Sequence, residues 1–323
     1  TMIKFIDLFS GIGGFHLAMK GVKSKCVFAS EWDKNSQDVY EKNFKIKPHG
    51  DITKIDEKNI PEHDLLFAGF PCQAFSISGK RLGFEDARGT LFFDVARIIK
   101  FHNPKVIFLE NVKNFLSHDN GKTMQVVKSI LEELNYNVFF SLLNASNYEV
   151  PQSRERIYIV AFKKNLKVRE FYFPKPFDKS ISLKNILLSD KLTQKYIIKR
   201  KDVFLKKKIP IQKDIFGGYP QKPIRVGHVN KAGQGERIYS EYGHAIAMTA
   251  YGGGIGSKTG LYFVNNKIRK LAPRECARIF GFPEKFKIHD NSNVAYKQFG
   301  NSVVVNVVSL IIKEIIKTNC FKK

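Results

Sequence analysis

The first 162 residues alternate short apolar runs with amphipathic segments, and few folds accept that pattern. The runs at residues 3–9, 26–30, 64–68, 105–110, 138–144 and 156–162 have the length and composition of strands. Between them, stretches such as 93–101 and 123–134 space their apolar residues at helical intervals. Alternation of this kind predicts an α/β fold built on a doubly wound, mostly parallel, Rossmann-like sheet. Sheets of that class bind ligands beyond the carboxyl ends of their strands. Unusual residues at strand ends are therefore the first candidates for chemistry.

The first strand runs into Asp7-Leu8-Phe9-Ser10-Gly11-Ile12-Gly13-Gly14-Phe15. Glycines there permit a tight strand-to-helix turn and close approach of a ligand. Their spacing is not Gly-x-Gly-x-x-Gly, which argues against a dinucleotide. Glu31 closes the second strand, where a carboxylate can accept from both ribose hydroxyls; Trp32 can stack on adenine and Asp51 can meet its amino group. A glycine turn followed by an acid also describes an ordinary tight turn, but the features together suggest an adenosine-bearing cofactor with no pyrophosphate.

Beyond residue 174 the composition shifts. Residues 174–210 are Lys-rich and helix-like, and their basic runs read mostly as a solvated face. Residues 217–260 hold 11 of the chain's 23 glycines, interleaved with basic and aromatic side chains, so loops and short strands of a second, smaller, mainly β domain are expected. Helical periodicity returns from Pro273 to Gly281, and an apolar helix over 303–316 ends the chain. This gives segments 1–175, 176–268 and 269–323, the last completing the first domain. A formal net charge of +24 favours a polyanionic partner. None of Cys26, Cys72, Cys276 and Cys320 forms a Cys-x-x-Cys pair, which speaks against a zinc or disulfide scaffold. No signal-peptide pattern opens the chain and the apolar run at 303–312 is too short to span a bilayer, so a cytoplasmic protein is expected.

Three segments concentrate reactive groups. Gly69-Phe70-Pro71-Cys72-Gln73 follows the third strand and sets a thiol on a proline-stiffened turn. Cys26 and Cys276 sit in apolar surroundings and read as structural. Glu110 in Leu109-Glu110-Asn111-Val112 ends the next strand, where a carboxylic acid can donate a proton or simply partner a buried arginine. In Gln152-Ser153-Arg154-Glu155-Arg156, alternation along an extended chain would put Arg154 and Arg156 on one face.

These segments, in order with Phe9-Ser10-Gly11-Ile12-Gly13-Gly14-Phe15 and the late Gln298-Phe299-Gly300-Asn301-Ser302-Val303, resemble the motif series of cytosine-5 DNA methyltransferases over essentially the whole chain. The resemblance implies S-adenosylmethionine as cofactor, held by Phe9, Gly11, Gly13, Gly14, Glu31, Trp32, Asp51, Ile52, Gly69, Pro71 and Leu91, with Asn301 and Ser302. It implies Cys72 as nucleophile toward carbon 6 of a flipped-out cytosine, Glu110 at ring N3, Arg156 at the position-2 oxygen, and Arg154 supporting the same pocket. The partner is then double-stranded DNA, with no metal and no membrane. Residues 69–89 and 233–240 are most similar to a restriction-system enzyme that methylates the inner cytosine of GCGC. That likeness implies a possible companion endonuclease; nothing in the sequence speaks to oligomeric state, and a monomer is the expectation.

Residues 73–90 carry Gly79, Gly83, Gly89, Lys80, Arg81 and Arg88, a pattern suited to a lid that closes on phosphates. By resemblance, Ser78 and Gln234 approach the space the flipped base leaves, Arg237 reads a guanine, and Tyr251-Gly252-Gly253-Gly254 forms a second recognition loop. Ala247-Met248 stands where the family usually has Thr followed by an aliphatic residue, removing a hydroxyl from a phosphate contact. Two alternatives share this fold, an RNA cytosine-5 methyltransferase and a silent DNA-binding homologue. A nicotinamide oxidoreductase would leave Cys72, Glu110 and Arg156 without a role.

Overall fold

In a computed structural model of the chain, the structure describes residues 2–72, 89–177, 179, 181–206, 218 and 220–322. The chain divides into two compact units, Thr1–Leu143 with Glu155–Pro174 and Val308–Lys323, and Asn144–Arg154 with Lys175–Val307. These units do not coincide with the three segments read from composition, because residues 144–154 and 269–307 cluster with the second unit.

The first unit is built on strands β1 (Ile3–Leu8), β2 (Ser24–Ser30), β3 (Leu65–Ala68), β4 (Val106–Val112), β5 (Tyr136–Asn144) and β6 (Glu155–Lys163), and helices α1 (Gly14–Ala18), α2 (Lys34–Phe44), α3 (Leu91–His102) and α4 (Lys122–Glu133). All six strand candidates are present, most displaced by a residue or two at their ends. The spatial order is β2-β1-β3-β4-β6-β5. β1 lies parallel to β2 and β3, and β3 parallel to β4, while β6 runs antiparallel to β4. The sheet is therefore mixed, with the parallel strands at β2, β1, β3 and β4.

Both faces of this sheet are covered, which explains why β3 is buried along its whole length. Alternate residues point to opposite faces. On one face Phe67 stacks on Phe15 of α1 at 4.9 Å, with Phe5 and Phe108 beside them. On the other, Ile6, Leu8, Leu66, Ala68, Ile107 and Leu109 join one apolar cluster with buried residues of α3 and α4. Thr90 caps α3 by accepting from the Phe93 N–H, and Asp33, just past the end of β2, caps α2 through Ser36.

The second unit carries α5 (Asp190–Thr193), β7 (Val203–Leu205), β8 (Arg225–Val229), β9 (Arg237–Ser240), β10 (Leu261–Val264), β11 (Lys267–Arg269), α6 (Pro273–Ile279) and α7 (Ser292–Gly300). Its sheet has the order β11-β10-β9-β8-β7 over a small core of Val226, Val229, Ile238 and Leu261. The helix-like expectation for 174–210 fails: among the described residues this stretch holds one α-helical turn, α5, together with 3-10 turns of four and three residues and β7. Lysines raise helix propensity, but without a continuous apolar stripe to bury, a helix there gains no tertiary support. The C-terminal helix α8 (Val305–Lys317) follows. The apolar stretch from Ser292 to Lys317 is long enough to cross a membrane by composition, but it is broken between α7 and α8 and mostly buried within the protein.

Candidate active site

At the carboxyl ends of β1, β2 and β3 the first unit opens a cavity of about 230 Å³ lined by Phe9, Ser30, Glu31, Trp32, Gly50, Asp51, Ile52, Thr53, Pro71 and Leu91. Seven of these residues belong to the expected cofactor set; Ser30, Gly50 and Thr53 were not foreseen, being small residues whose role comes only from position. The strand β1 ends with Phe9 and Gly11 at positive φ, 53° and 52°, which folds the turn back on itself. Gly13 (φ 91°) passes so close to α2 that a Cβ would meet the Phe44 ring at 2.2 Å. Gly14 opens α1, and neither Gly13 nor Gly14 lines the cavity.

Glu31 is almost fully buried, yet its two oxygens accept from the N–H groups of Gly11 and Asp33 at 2.8 Å each. Burial pushes its carboxyl above the usual range while those two N–H groups pull it down. Each oxygen keeps a second lone-pair site, so the fixed carboxylate can still accept from a diol. Asp51 accepts from the N–H and hydroxyl of Thr53, which ties one of its oxygens to the turn. Trp32 is 76% exposed, an indole left as a platform at the rim.

The donor set discriminates between cofactors. Among the described residues neither lysine nor arginine lines the cavity, and the Gly11 N–H, which would face a pyrophosphate, is given to Glu31. An adenosine carrying a sulfonium finds an aromatic plate, an oriented acid and an apolar floor of Ile52, Pro71 and Leu91. The residues therefore fit S-adenosylmethionine. Beneath the turn, Asp7 is fully buried with no hydrogen-bond partner on either oxygen, and burial, reinforced by Glu31, raises its carboxyl well above the usual range.

Cys72 lies at the end of the turn after β3 as a half-buried free thiol. Cys26, Cys276 and Cys320 are buried. Burial pushes the Cys72 thiol above its ordinary value. Asn111 fixes the backbone just before it: the buried amide donates to the Phe70 carbonyl at 2.9 Å and accepts from the Val112 N–H. That role was missed, although Asn111 stood inside a quoted motif. Glu110 and Arg156 come together across β4 and β6, Oε1 to Nε 3.2 Å, both largely shielded from solvent. A Cβ on Gly69 would lie 3.6 Å from Glu110 Oε2, so the turn and the acid are neighbours.

The expectation that Arg154 shares a face with Arg156 is corrected. β6 begins at Glu155, so strand alternation does not reach back to Arg154. Arg154 belongs to the second unit, buried, with its guanidinium donating to the carbonyls of Met248, Gly300 and Ser302 at 2.8–3.0 Å and lying 5.0 Å from the Phe280 ring centroid. Asn301 is exposed and Ser302 buried in the same unit.

Also within that unit, Gln234, Ala247, Thr249, Tyr251 and Lys258 line a second cavity of about 220 Å³ with five glycines. The Gly256 N–H donates to the Gly235 carbonyl at 2.7 Å, joining the two glycine loops. Tyr251 is 76% exposed, and Arg237 is partly exposed at the start of β9. Ser78 and Arg88, with the rest of the lid expected at 73–88, lie outside the described residues. Among the described residues no group of three His, Cys, Asp or Glu side chains is placed to hold a metal ion.

Comparison with known proteins agrees with this chemistry. The family described as C-5 cytosine-specific DNA methylase matches residues 3–317. The chain is 55% identical over 311 residues to the type II methyltransferase M.HhaI of Haemophilus parahaemolyticus, covering 96% of this chain and 93% of that protein. It is 43% identical to M.HpaII of Haemophilus parainfluenzae, with 97% and 89% covered. In fold it is similar to the Dnmt2 methyltransferase of S. pombe (TM-score 0.72, 19% identity, 98% of each chain) and to the Entamoeba histolytica methyltransferase EhMeth (TM-score 0.70, 19% identity, 98% of each). With the motifs in order and the match running nearly end to end, the chain belongs to the C-5 cytosine-specific DNA methylase family, enzymes that methylate carbon 5 of cytosine in DNA from S-adenosylmethionine.

Proposed function

We propose that this enzyme modifies the inner cytosine of GCGC in duplex DNA, with Cys72 as nucleophile and with Glu110 and Arg156 holding the base. The pairing of Glu110 with Arg156 beside the Cys72 turn carries the reading, because it sets a carboxyl and a guanidinium where the N3 and O2 edge of one cytosine could meet both. Cytosine carbon 5 is a poor nucleophile. Addition of the Cys72 thiolate to carbon 6, with a proton or hydrogen bond from Glu110 at N3, turns the ring into an enamine whose carbon 5 can take a methyl group. When bound, S-adenosylmethionine supplies that methyl group as an electrophile. Loss of the carbon-5 proton then restores the double bond and expels Cys72 as thiolate. Arg156 holds the O2 oxygen, and Asn111 keeps the Cys72 turn in register. Because no stacked base can be reached this way, the target nucleotide leaves the duplex at a cost of a few kcal/mol.

Segments 1–175 and 269–323 supply catalysis and cofactor binding in this reading, and 176–268 reads the target. Gln234, Arg237 and Tyr251 are assigned to the DNA, with Ser78 and Arg88 of the lid. Glu31, Trp32, Asp51 and their neighbours are assigned to the cofactor, together with Asn301 and Ser302. Arg154 becomes a positioning residue that holds the Met248 and Ser302 backbone. The family match and the identity to M.HhaI support a DNA substrate over RNA, and the type II names of the relatives support work beside a restriction endonuclease; a monomer in the cytoplasm completes the reading.

The test is transfer of labelled methyl groups to short duplexes carrying GCGC, GGCC or CCGG, with a tRNA control. Label on GCGC alone is expected, abolished in Cys72→Ser while duplex binding persists. Label on another duplex would overturn the site assignment, label on tRNA the substrate, and an active Cys72→Ser the mechanism.

A further inference from the structure

Across the five-stranded sheet, Phe204 of β7 is registered opposite His228 of β8, and His228 is registered opposite Arg237 of β9. The three therefore form one cross-strand row on the face opposite Val229 and Ile238, the bulge between Arg225 and Gly227 taking Val226 out of strict alternation. Phe204 is 59% exposed and its ring stacks on the His228 imidazole, centroids 5.2 Å apart and planes 25° from parallel. Directly opposite side chains in an antiparallel pair have Cβ atoms about 4.5–5.5 Å apart, so Arg237 continues the row.

Two polar atoms of this row have no partner among the described residues. His228 Nδ1 and Arg237 Nε are buried without a hydrogen-bond partner, and no described residue accepts from the Arg237 guanidinium. Arg154 and Arg269 also carry an unpartnered buried Nε, but their terminal nitrogens are held, by carbonyls and by Glu275 respectively. With Nε enclosed, the two terminal nitrogens of Arg237 are the end that can reach a base edge, and bidentate reading of guanine O6 and N7 needs them in one plane. An unrestrained arginine carries rotamer entropy that reading would have to overcome.

We propose that His228, backed by Phe204, is a specificity-determining positioning residue that pre-orients the Arg237 guanidinium for guanine in the major groove. This rests on the assignment of Arg237 as a base reader. Neither Phe204 nor His228 need touch a base, since both act through Arg237.

The experiment compares kcat/KM on the preferred duplex with that on duplexes carrying 7-deazaguanine at each guanine of the site, which lack only the N7 acceptor. Arg237→Ala is expected to erase roughly a 10- to 100-fold penalty at one guanine. His228→Ala is expected to lose roughly three- to tenfold of that same penalty, and Phe204→Ala less, with kcat on the unmodified duplex near the parent value. His228→Phe, which keeps a stacking ring and drops the imidazole nitrogens, should restore discrimination. If Arg237→Ala shrinks the penalty and His228→Ala leaves it intact, the stack is overturned while the base-reader assignment survives. If Arg237→Ala leaves every penalty intact, both fall together.

Discussion

Cys72 shows how far a single residue can be read before its surroundings are known. A thiol on a proline turn at a strand end was legible as a candidate nucleophile, although Cys72 also packs against the apolar cluster of the first unit. Among the described residues burial pushes that thiol up. A raised thiol pKa leaves only a small thiolate fraction at neutral pH, and that fraction grows about tenfold per pH unit until the pKa is passed. In the free enzyme, alkylation of Cys72 by iodoacetamide should therefore climb steadily from pH 6 to pH 8.5 without levelling near 7. A plateau near pH 7 would mean that the free protein already lowers the pKa. Asn111 is the converse case, since an asparagine in a motif gives no sign of which carbonyl it will hold.

Among elements, strands announced themselves better than anything else. Both-face burial of β3 and β4 leaves continuous apolar runs, and such runs survive as a sequence signal. The region at 174–210 misled because lysine spacing mimics a helix without providing a face to bury. The two glycine loops of the second unit are read correctly as loops, but their mutual support is tertiary. A Cβ on Gly235 would sit 2.3 Å from the Gly253 carbonyl oxygen. Gly235→Ala should push these loops apart and weaken duplex binding by about tenfold or more, the scale of overpacking at ~1–3 kcal/mol. Binding of S-adenosylhomocysteine, measured by calorimetry, should stay unchanged. An unaltered duplex Kd would show that the loops absorb the methyl group.

On the scale of the chain, Arg154 links segments 94 to 148 residues apart through three backbone carbonyls. Its removal leaves those acceptors buried and unpaired, at about 1–3 kcal/mol each. Arg154→Ala should lower stability by roughly 3 kcal/mol or more, read from urea denaturation. Arg154→Lys should recover little, because one ammonium group cannot reproduce the guanidinium fork. A loss below about 1 kcal/mol would show that the carbonyls find other donors.

The sequence by itself determined the alternating α/β plan and the kind of cofactor, and it nominated the reactive side chains, because each rests on local periodicity or on the residue types gathered at strand ends. Only tertiary structure decided the partners. It separated Arg154 from Arg156, paired Glu110 with Arg156, gave both Glu31 oxygens to backbone N–H groups and set Phe204, His228 and Arg237 in one row. Those outcomes depend on strand register and chain crossings between residues far apart in sequence, and local periodicity carries no record of register.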